Sequence, residues 1–370
     1  MEGSLTGGEV RIAGDARQRF HDARGYGRPI QGNEIALSLV EAAHLLSRGD
    51  LTAVDGMGFQ EFLSRSGGDG FEARFLVYAD LRERGFYLSP ARAGWTNVLA
   101  EDSALADVGT HAPTEDSALV GDTDFVVYPR GKGPRDGDVL YAVRVIGERE
   151  PIDAAGLDGV LAVVDEESDV TYFRAERPDL DGVSVPTHHG TVSGELLSDR
   201  VVCFDPPDAL YETGFYGRPI GGDGSTPALH LSLIEGAYLA DEGVLDVEAR
   251  ETTPGSDRSA IVSRGRSVEG ERFDRRLAVY AALRERGLVP KTGFKFGADF
   301  RVYEAIESVD TLGHSAYLVR VVRSDHTFVP RDLALDVRLA GGVRKRMVFA
   351  LIGANEETKI TWLSVSRLTP

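Results

Sequence analysis

The chain repeats itself. GYGRPI at Gly25–Ile30 returns as FYGRPI at Phe215–Ile220. LSLVEAAHLL at Leu37–Leu46 returns as LSLIEGAYLA at Leu231–Ala240, and YADLRERGFYL at Tyr78–Leu88 returns as YAALRERGLVP at Tyr280–Pro290. The copies lie about 190–202 residues apart. That period is too long for a solenoid unit, so each copy is a whole module and the fold must accommodate the same domain plan twice. A chain of 370 residues is long enough to give both modules real cores.

Each module opens with short strands through the YGRP turn, where proline fixes φ. Arg28 and Arg218 in that turn could meet RNA, but a repeated YGRP reads first as turn chemistry. An amphipathic helix is expected next, with Leu37, Val40, Glu41 and His44 in one copy and Leu231, Ile234, Glu235 and Tyr238 in the other. The exchange of His44 for Tyr238 points to packing. A second helix ends in LRERG, with Gly85 and Gly287 as its C-caps. A sheet then follows. DFVVY (Asp124–Tyr128) is answered by DFRVY (Asp299–Tyr303), VLYAVRVIGE by SAYLVRVVRS, and GVLAVVDEESDVTYFRAE by the final hairpin. The expected fold is α+β: a tandem duplicated module, each copy a helix-rich N-terminal subdomain plus a mixed-sheet, restriction-endonuclease-like subdomain. The expected divisions are 1–94, an acidic insertion at 95–123 that carries EDSAL twice, a sheet at 124–176, a linker at 177–198, a second N-terminal subdomain at 199–292 and a second sheet at 293–370. His188 and His189 in the linker lack further ligands and read as loop residues.

Composition narrows the setting. The start, MEGSLTGGEVRIAGD, has no apolar core segment, and no run of eighteen apolar residues exists, so neither a signal peptide nor a membrane span is expected. The single cysteine, Cys203, makes no intrachain disulfide, and no Cys/His zinc spacing exists, so a reducing, cytoplasmic location is expected. The net charge of −18 is opposite to the basic face of most RNA enzymes. Acidic composition with Arg preferred over Lys suits multimolar salt, where screening shortens electrostatic reach to a few ångströms.

Chemistry concentrates after Phe296. Tyr303 is expected near the middle of one strand, His314 at the first position of the next, and Lys345 just before a third, after a helix that starts at Pro330 and stops at Gly341-Gly342. A phenol, an imidazole and an ammonium move protons on and off oxygens while stabilising an anion, as in metal-free RNA cleavage through the 2′-OH. Histidine has the unperturbed pKa nearest neutrality and can give up a proton. Tyrosine, at about 10, needs a nearby cation to act as a base. The lysines are only Lys132, Lys291, Lys295, Lys345 and Lys359, so Lys345 between two arginines marks a position for a compact point charge.

These segments resemble the catalytic domain of the archaeal tRNA-splicing endonuclease (tRNA-intron lyase) in its two-repeat, homodimeric form. The resemblance rests on Gly293-Phe294-Lys295-Phe296-Gly297-Ala298-Asp299-Phe300 leading to Tyr303, on the HSAYLVRVV strand and on the VRK segment. It implies Tyr303 as general base, His314 as general acid and Lys345 as the cation facing the phosphorane. Cleavage would occur at a bulge–helix–bulge in precursor tRNA, with precursor rRNA as a further partner, and would leave 2′,3′-cyclic phosphate and 5′-OH ends. No cofactor or metal is implied. Arg338 and Trp362 lie where the family clamps a flipped-out base, although a solvated helix face and a core position are their bland alternatives. The resemblance also implies that the acidic hairpin tip Asp165-Glu166-Glu167-Ser168-Asp169 contacts the opposing subunit; a solvated tip is the alternative. The first module keeps Tyr128 but has Asp138 where His314 stands and no lysine to match Lys345, as expected of a structural half. Two other functions compete: a non-catalytic RNA-binding or assembly subunit, and a metal-dependent restriction-type nuclease using Asp299, Glu304 or Asp310 with Lys345.

Overall fold

A computed structural model of the chain describes residues 1–66, 68, 70–92, 95, 123–136, 138–184, 190–221, 228–248, 257–353 and 359–370. Most of the acidic insertion, the His188-His189 pair and the turn at 354–358 lie outside the described residues. Two units emerge. The first comprises Met1–Arg177 with Thr327–Leu335 and Val365–Pro370, and the second comprises Pro178–His326 with Asp336–Ser364.

In the first unit, β1 (Glu2–Thr6), β2 (Glu9–Ile12), β3 (Arg28–Pro29), β4 (Ile35–Leu37) and β5 (Ala53–Val54) form a small sheet in the order β3-β4-β2-β1-β5. Helices α1 (Leu39–Ser47), α2 (Phe59–Ser66) and α3 (Phe71–Glu83) follow. A second set of strands runs in the order β6-β7-β8-β10-β11: β6 (Leu88–Pro90), β7 (Phe125–Val127), β8 (Tyr141–Gly147), β10 (Gly159–Val164) and β11 (Val170–Glu176), with the short β9 (Ile152–Asp153) before β10. The second unit repeats the plan. Strands β12 (Val192–Leu197), β13 (Arg200–Phe204), β14 (Arg218–Ile220), β15 (Ala228–Ser232) and β16 (Leu245–Glu248) form the small sheet in the order β14-β15-β13-β12-β16. The one-turn α4 (Asp208–Glu212) and helices α5 (Leu233–Asp241), α6 (Asp257–Glu269) and α7 (Glu271–Glu285) accompany it. Strands β17 (Val289–Thr292), β18 (Phe300–Tyr303) and β19 (Tyr317–Arg323) open the second large set, and β20 (Thr327–Phe328) pairs with β9. Helix α8 (Pro330–Gly342) precedes β21 (Arg346–Ile352) and β22 (Ile360–Leu368), giving the order β17-β18-β19-β21-β22. The architecture is α+β and tandem, as the repeat predicts.

All three repeated motifs serve one device. Ser38 and Ser232 cap α1 and α5 in capping boxes with Glu41 and Glu235, satisfying helix donors that would otherwise lack partners. The same carboxylates accept the backbone N–H of the YGRP glycine, at 2.7 Å for Gly27 and 2.9 Å for Gly217. Both glycines have positive φ, and a Cβ there would lie 2.4 Å from the Ala36 carbonyl oxygen or 2.3 Å from that of His230, so only glycine fits. The LRERG arginine then stacks on the YGRP tyrosine. Arg82 lies 3.8 Å from the Tyr26 ring centre, and Arg284 lies 4.0 Å from that of Tyr216. His44 Nδ1 is bonded to the Tyr26 hydroxyl at 2.9 Å, whereas Tyr238 stacks on Tyr216. Burial and the Arg82 charge lower the His44 pKa to about 4, which suits a neutral packing residue. The YGRP glycine makes the turn, at φ 62° for Gly27 and 59° for Gly217, but the Arg-Pro that follows lies in strands β3 and β14 rather than in the turn. Arg28 pairs with Glu9 at 2.8 Å.

Several boundaries differ from the sequence reading. Val192–Leu197 form strand β12, so the 177–198 linker ends earlier; the segment VSGELL carries too few large apolar residues to announce itself. Leu37 and Leu231 lie in strands β4 and β15, with the helices beginning after the capping serines. An unforeseen helix, α2 or α6, precedes the LRERG helix in each half; both are mostly polar. The edge strands β6 and β17 belong with the large sheets, although 1–94 and 199–292 included them.

Candidate active site

Strand register builds the site. Strands β18 and β19 are antiparallel with Val302 opposite Tyr317, and the Ala316 N–H donates to the Val302 carbonyl at 2.9 Å. Strands β19 and β21 are parallel with Tyr317 opposite Arg346, and the Arg346 N–H donates to the Ala316 carbonyl at 3.0 Å. The C-terminal end of β18 and the N-terminal ends of β19 and β21 therefore meet at one end of the sheet. Tyr303, His314 and Lys345 sit at those three ends.

Their local settings differ from expectation in two ways. Tyr303 is the last residue of its strand, not a middle one. His314 lies three residues before β19, in irregular backbone, and is exposed. The polar GHS run does not extend the ladder, which leaves the imidazole outside the sheet rather than fixed in it. Lys345 comes after α8, where Arg344 adopts φ 56° and the Lys345 N–H donates to the Ala340 carbonyl at 2.9 Å. This left-handed turn ends the helix and redirects the chain into β21.

Lys345 ties the ends together. Its Nζ donates to the Ser315 carbonyl at 2.8 Å, beside His314, and lies 5.8 Å from the centre of the Phe296 ring. Burial, and then the Arg301 guanidinium, hold its pKa below the ordinary lysine value. Arg301 also lies 5.7 Å from the centre of the Tyr303 ring, and its buried Nε has no hydrogen-bond partner among the described residues. The Tyr303 ring is 4% exposed, meets Phe215 edge-on at 5.7 Å and packs beneath Ile306, Val309 and Leu312. Beside it, the Tyr317 hydroxyl donates to Glu304 at 2.6 Å and accepts from Arg346 at 2.8 Å. Burial and the Glu304 carboxylate push the Tyr317 pKa up to about 12, so it stays a protonated donor.

Other expected residues fare unequally. Arg338 is exposed on α8, as either reading of it allows. Trp362 is 6% exposed and belongs to the core of the second unit, and its buried indole N–H has no hydrogen-bond partner among the described residues. Its register on β22 turns it inward, which sequence spacing alone did not reveal. Asp165 is occupied within its own turn, accepting from the backbone N–H groups of Glu167 and Asp169 at 2.9 and 3.0 Å. Glu166 pairs with Arg149, and Glu167 and Asp169 are exposed. Asp299, needed by the restriction-type alternative, is 6% exposed and already engaged by Arg272 at 2.6 Å, Arg276 at 3.0 Å and the Val321 N–H at 2.9 Å. Among the described residues no three His, Cys, Asp or Glu side chains cluster to hold a metal. No helix among them is long and apolar enough to cross a membrane. Sequence reading missed Arg301. The signal was present, since DFRVY has arginine where DFVVY has Val126.

Two family models match parts of the chain. Residues 273–362 match the family model of the tRNA intron endonuclease catalytic C-terminal domain, and residues 1–63 and 192–258 match the N-terminal domain of the same enzyme. A tRNA-splicing endonuclease of Haloferax volcanii is 55% identical over 372 residues, covering 100% of both chains. That of Haloarcula marismortui is 54% identical over 373 residues with the same coverage, and that of Methanococcoides burtonii is 33% identical over 389 residues, covering 100% of this chain and 99% of the relative. With both domain types matched and whole-length identity to enzymes of salt-loving archaea, the chain belongs to the tRNA-splicing endonuclease family.

Proposed function

We propose that the chain cleaves precursor tRNA at intron boundaries within a bulge–helix–bulge, without a metal, through Tyr303, His314 and Lys345. The observation that carries this reading is the meeting of those three residues at one sheet end, inside the segment matched by the catalytic-domain family model. Acting as the phenolate, Tyr303 takes the proton from the 2′-OH, whose oxygen attacks the adjacent phosphorus. The P–O5′ bond breaks, and the leaving oxygen takes its proton from His314. The products are a 2′,3′-cyclic phosphate and a 5′-OH. Lys345 offsets the charge that grows on the phosphorane, and Arg301 lends further positive potential to both Tyr303 and Lys345. General acid–base help of this kind contributes roughly 10²–10⁴-fold.

The working form is a homodimer in this reading, with Asp165, Glu166, Glu167 and Asp169 of the hairpin tip as its acidic contacts and Arg338 and Trp362 as RNA contacts. The acidic chain approaches RNA in high salt, where long-range repulsion is screened.

The test is incubation of purified protein, in high salt with EDTA, with a bulge–helix–bulge RNA and with the same RNA fully paired. Cutting of the bulged RNA alone, with cyclic phosphate ends, is expected. Cutting that needs added metal would favour the restriction-type nuclease. Tight RNA binding without cutting would favour a non-catalytic subunit.

A further inference from the structure

The most exposed large apolar side chain among the described residues is Phe294, at 86%, and it stands beside the candidate site. It opens a single 3-10 turn, Phe294–Phe296, held between Gly293 and Gly297. That turn is firmly built. The Phe296 N–H donates to the Gly293 carbonyl at 2.8 Å, the Gly293 N–H donates to the Asp299 carbonyl at 3.0 Å, and the Phe294 N–H donates to Thr292 Oγ1 at 3.3 Å. Two residues along the same turn, Phe296 carries the Lys345 ammonium over its ring. Exposed Lys295 lies between the two phenylalanines in sequence, so two of the chain's five lysines fall at this corner of a protein of net charge −18.

The first half lacks the ring. Its Ala91 N–H donates to the Asp124 carbonyl at 2.9 Å, the same bond that Gly293 makes to Asp299, so the residue matching Phe294 is Arg92. The exposed aromatic therefore occurs in the half that has His314 and Lys345, and is absent from the half that lacks them.

A fully solvated phenylalanine on a rigid turn, flanked by cations, has the properties of a stacking platform for a nucleobase with its phosphate nearby. We propose that Phe294 stacks on an unpaired base next to the scissile phosphate, with Lys295 meeting the backbone, making Phe294 a specificity-determining residue for bulged RNA. This rests on the cleavage reading above.

The experiment compares the full-length protein with Phe294→Ala and Phe294→Trp, using bulge–helix–bulge RNA carrying 2-aminopurine at each bulge position in turn. Cleavage is measured at two salt concentrations; binding and quenching are measured in a His314→Ala background so that the RNA stays intact. Stacking predicts quenching at one bulge position that Phe294→Ala abolishes. It also predicts a loss in kcat/KM of roughly five- to hundredfold for Phe294→Ala. Phe294→Trp should restore both. The loss should be equal at both salts, because stacking, unlike phosphate contact, releases no counterions. Unchanged quenching and kcat/KM in Phe294→Ala would overturn the proposal. So would a change in oligomeric state on gel filtration as its main effect, which would make the ring a protein–protein anchor. Failure of the unsubstituted protein to bind or cut the RNA would instead overturn the cleavage reading, which separates the two failures.

Discussion

The two halves share a register and differ in charge. Phe125 and Phe300 both oppose the third residue of a YxV strand, Val143 or Val319, so Tyr128 matches Tyr303 and Val126 matches Arg301. Strand β8 pairs with β10 as β19 pairs with β21, with Val143 opposite Val160 and Val319 opposite Val348. Leu157, 2% exposed, therefore occupies the place of Lys345. Asp138 takes the place of His314 and is paired with Lys132. Ser89, opposite Val126, takes the place of Lys291, opposite Arg301. The first half has thus kept each hydrogen-bonded strand and the tyrosine while holding no cation at the three places where the second half has Arg301, Lys345 and Lys291. Backbone pairing tolerates many side chains, whereas proton transfer and anion stabilisation tolerate few. Duplication can therefore relax chemistry in one copy without loss of fold.

Substitutions at matched positions test this contrast. The largest effects are expected at the candidate site. Tyr303→Phe, with the phenol removed and the ring kept, should lower single-turnover cleavage by roughly 10²–10⁴-fold, whereas Tyr128→Phe should leave the rate unchanged. Comparable losses in both would mean that the first half also contributes to the chemistry.

Next in size is the buried pair unique to the second half. Lys291 Nζ lies 2.6 Å from Glu235 Oε1 and also donates to the Gly217 carbonyl at 3.1 Å. Burial pulls the lysine below its ordinary pKa, and the Glu235 carboxylate opposes that shift. Removing one partner of a buried pair costs about 3–5 kcal/mol. Lys291→Met should therefore accelerate hydrogen exchange of the Gly217 amide by about that equivalent and leave the Gly27 amide unaltered. Equal exchange at Gly217 before and after substitution would show the pair to be structurally neutral.

The same pair separates the halves by pH. Burial alone would raise the Glu235 pKa, but Lys291 and the hydrogen bonds to the Ser232 and Gly217 amides lower it from 4.5 to about 2. Its stabilisation is thus complete above the unfolded value and fades as pH falls from there through about 2. Glu41, buried without a lysine, has a raised pKa, so its contribution runs the other way: it is most favourable at low pH and declines as pH rises past the unfolded value. Amide protection around α5 should therefore fall on acidification from pH 5 while protection around α1 holds or rises. Parallel loss in both would contradict the assignment. The smallest effect is a symmetric control. Ser38→Ala and Ser232→Ala each remove one capping box and should each destabilise by about 1 kcal/mol, equally in the two halves.

Much of this was legible in the sequence because it is local or periodic. The repeat showed the tandem plan, and the YGRP, LSLxE and LRERG segments repeat together because glycine, glutamate and arginine meet in one device. The order of Tyr303, His314 and Lys345 was readable too. What was not readable depends on register and side-chain direction. Trp362 faces the core because of its place on β22, and Asp165 serves its own turn. VSGELL pairs as a strand without the apolar alternation that would announce one. Phe294 lay inside the quoted motif, but its exposure is a property of the turn that carries it.

In the proposed function, catalysis belongs to the second half alone. Its most direct test is single-turnover cleavage of bulge–helix–bulge RNA, in high salt with EDTA, by the full-length chain, by His314→Ala and by Asp138→Ala at the matching place in the first half. Cyclic phosphate ends, a fall of roughly 10²–10⁴-fold for His314→Ala and an unchanged rate for Asp138→Ala are expected. A His314→Ala protein that cuts at the unsubstituted rate, or an Asp138→Ala protein that folds but does not cut, would contradict it.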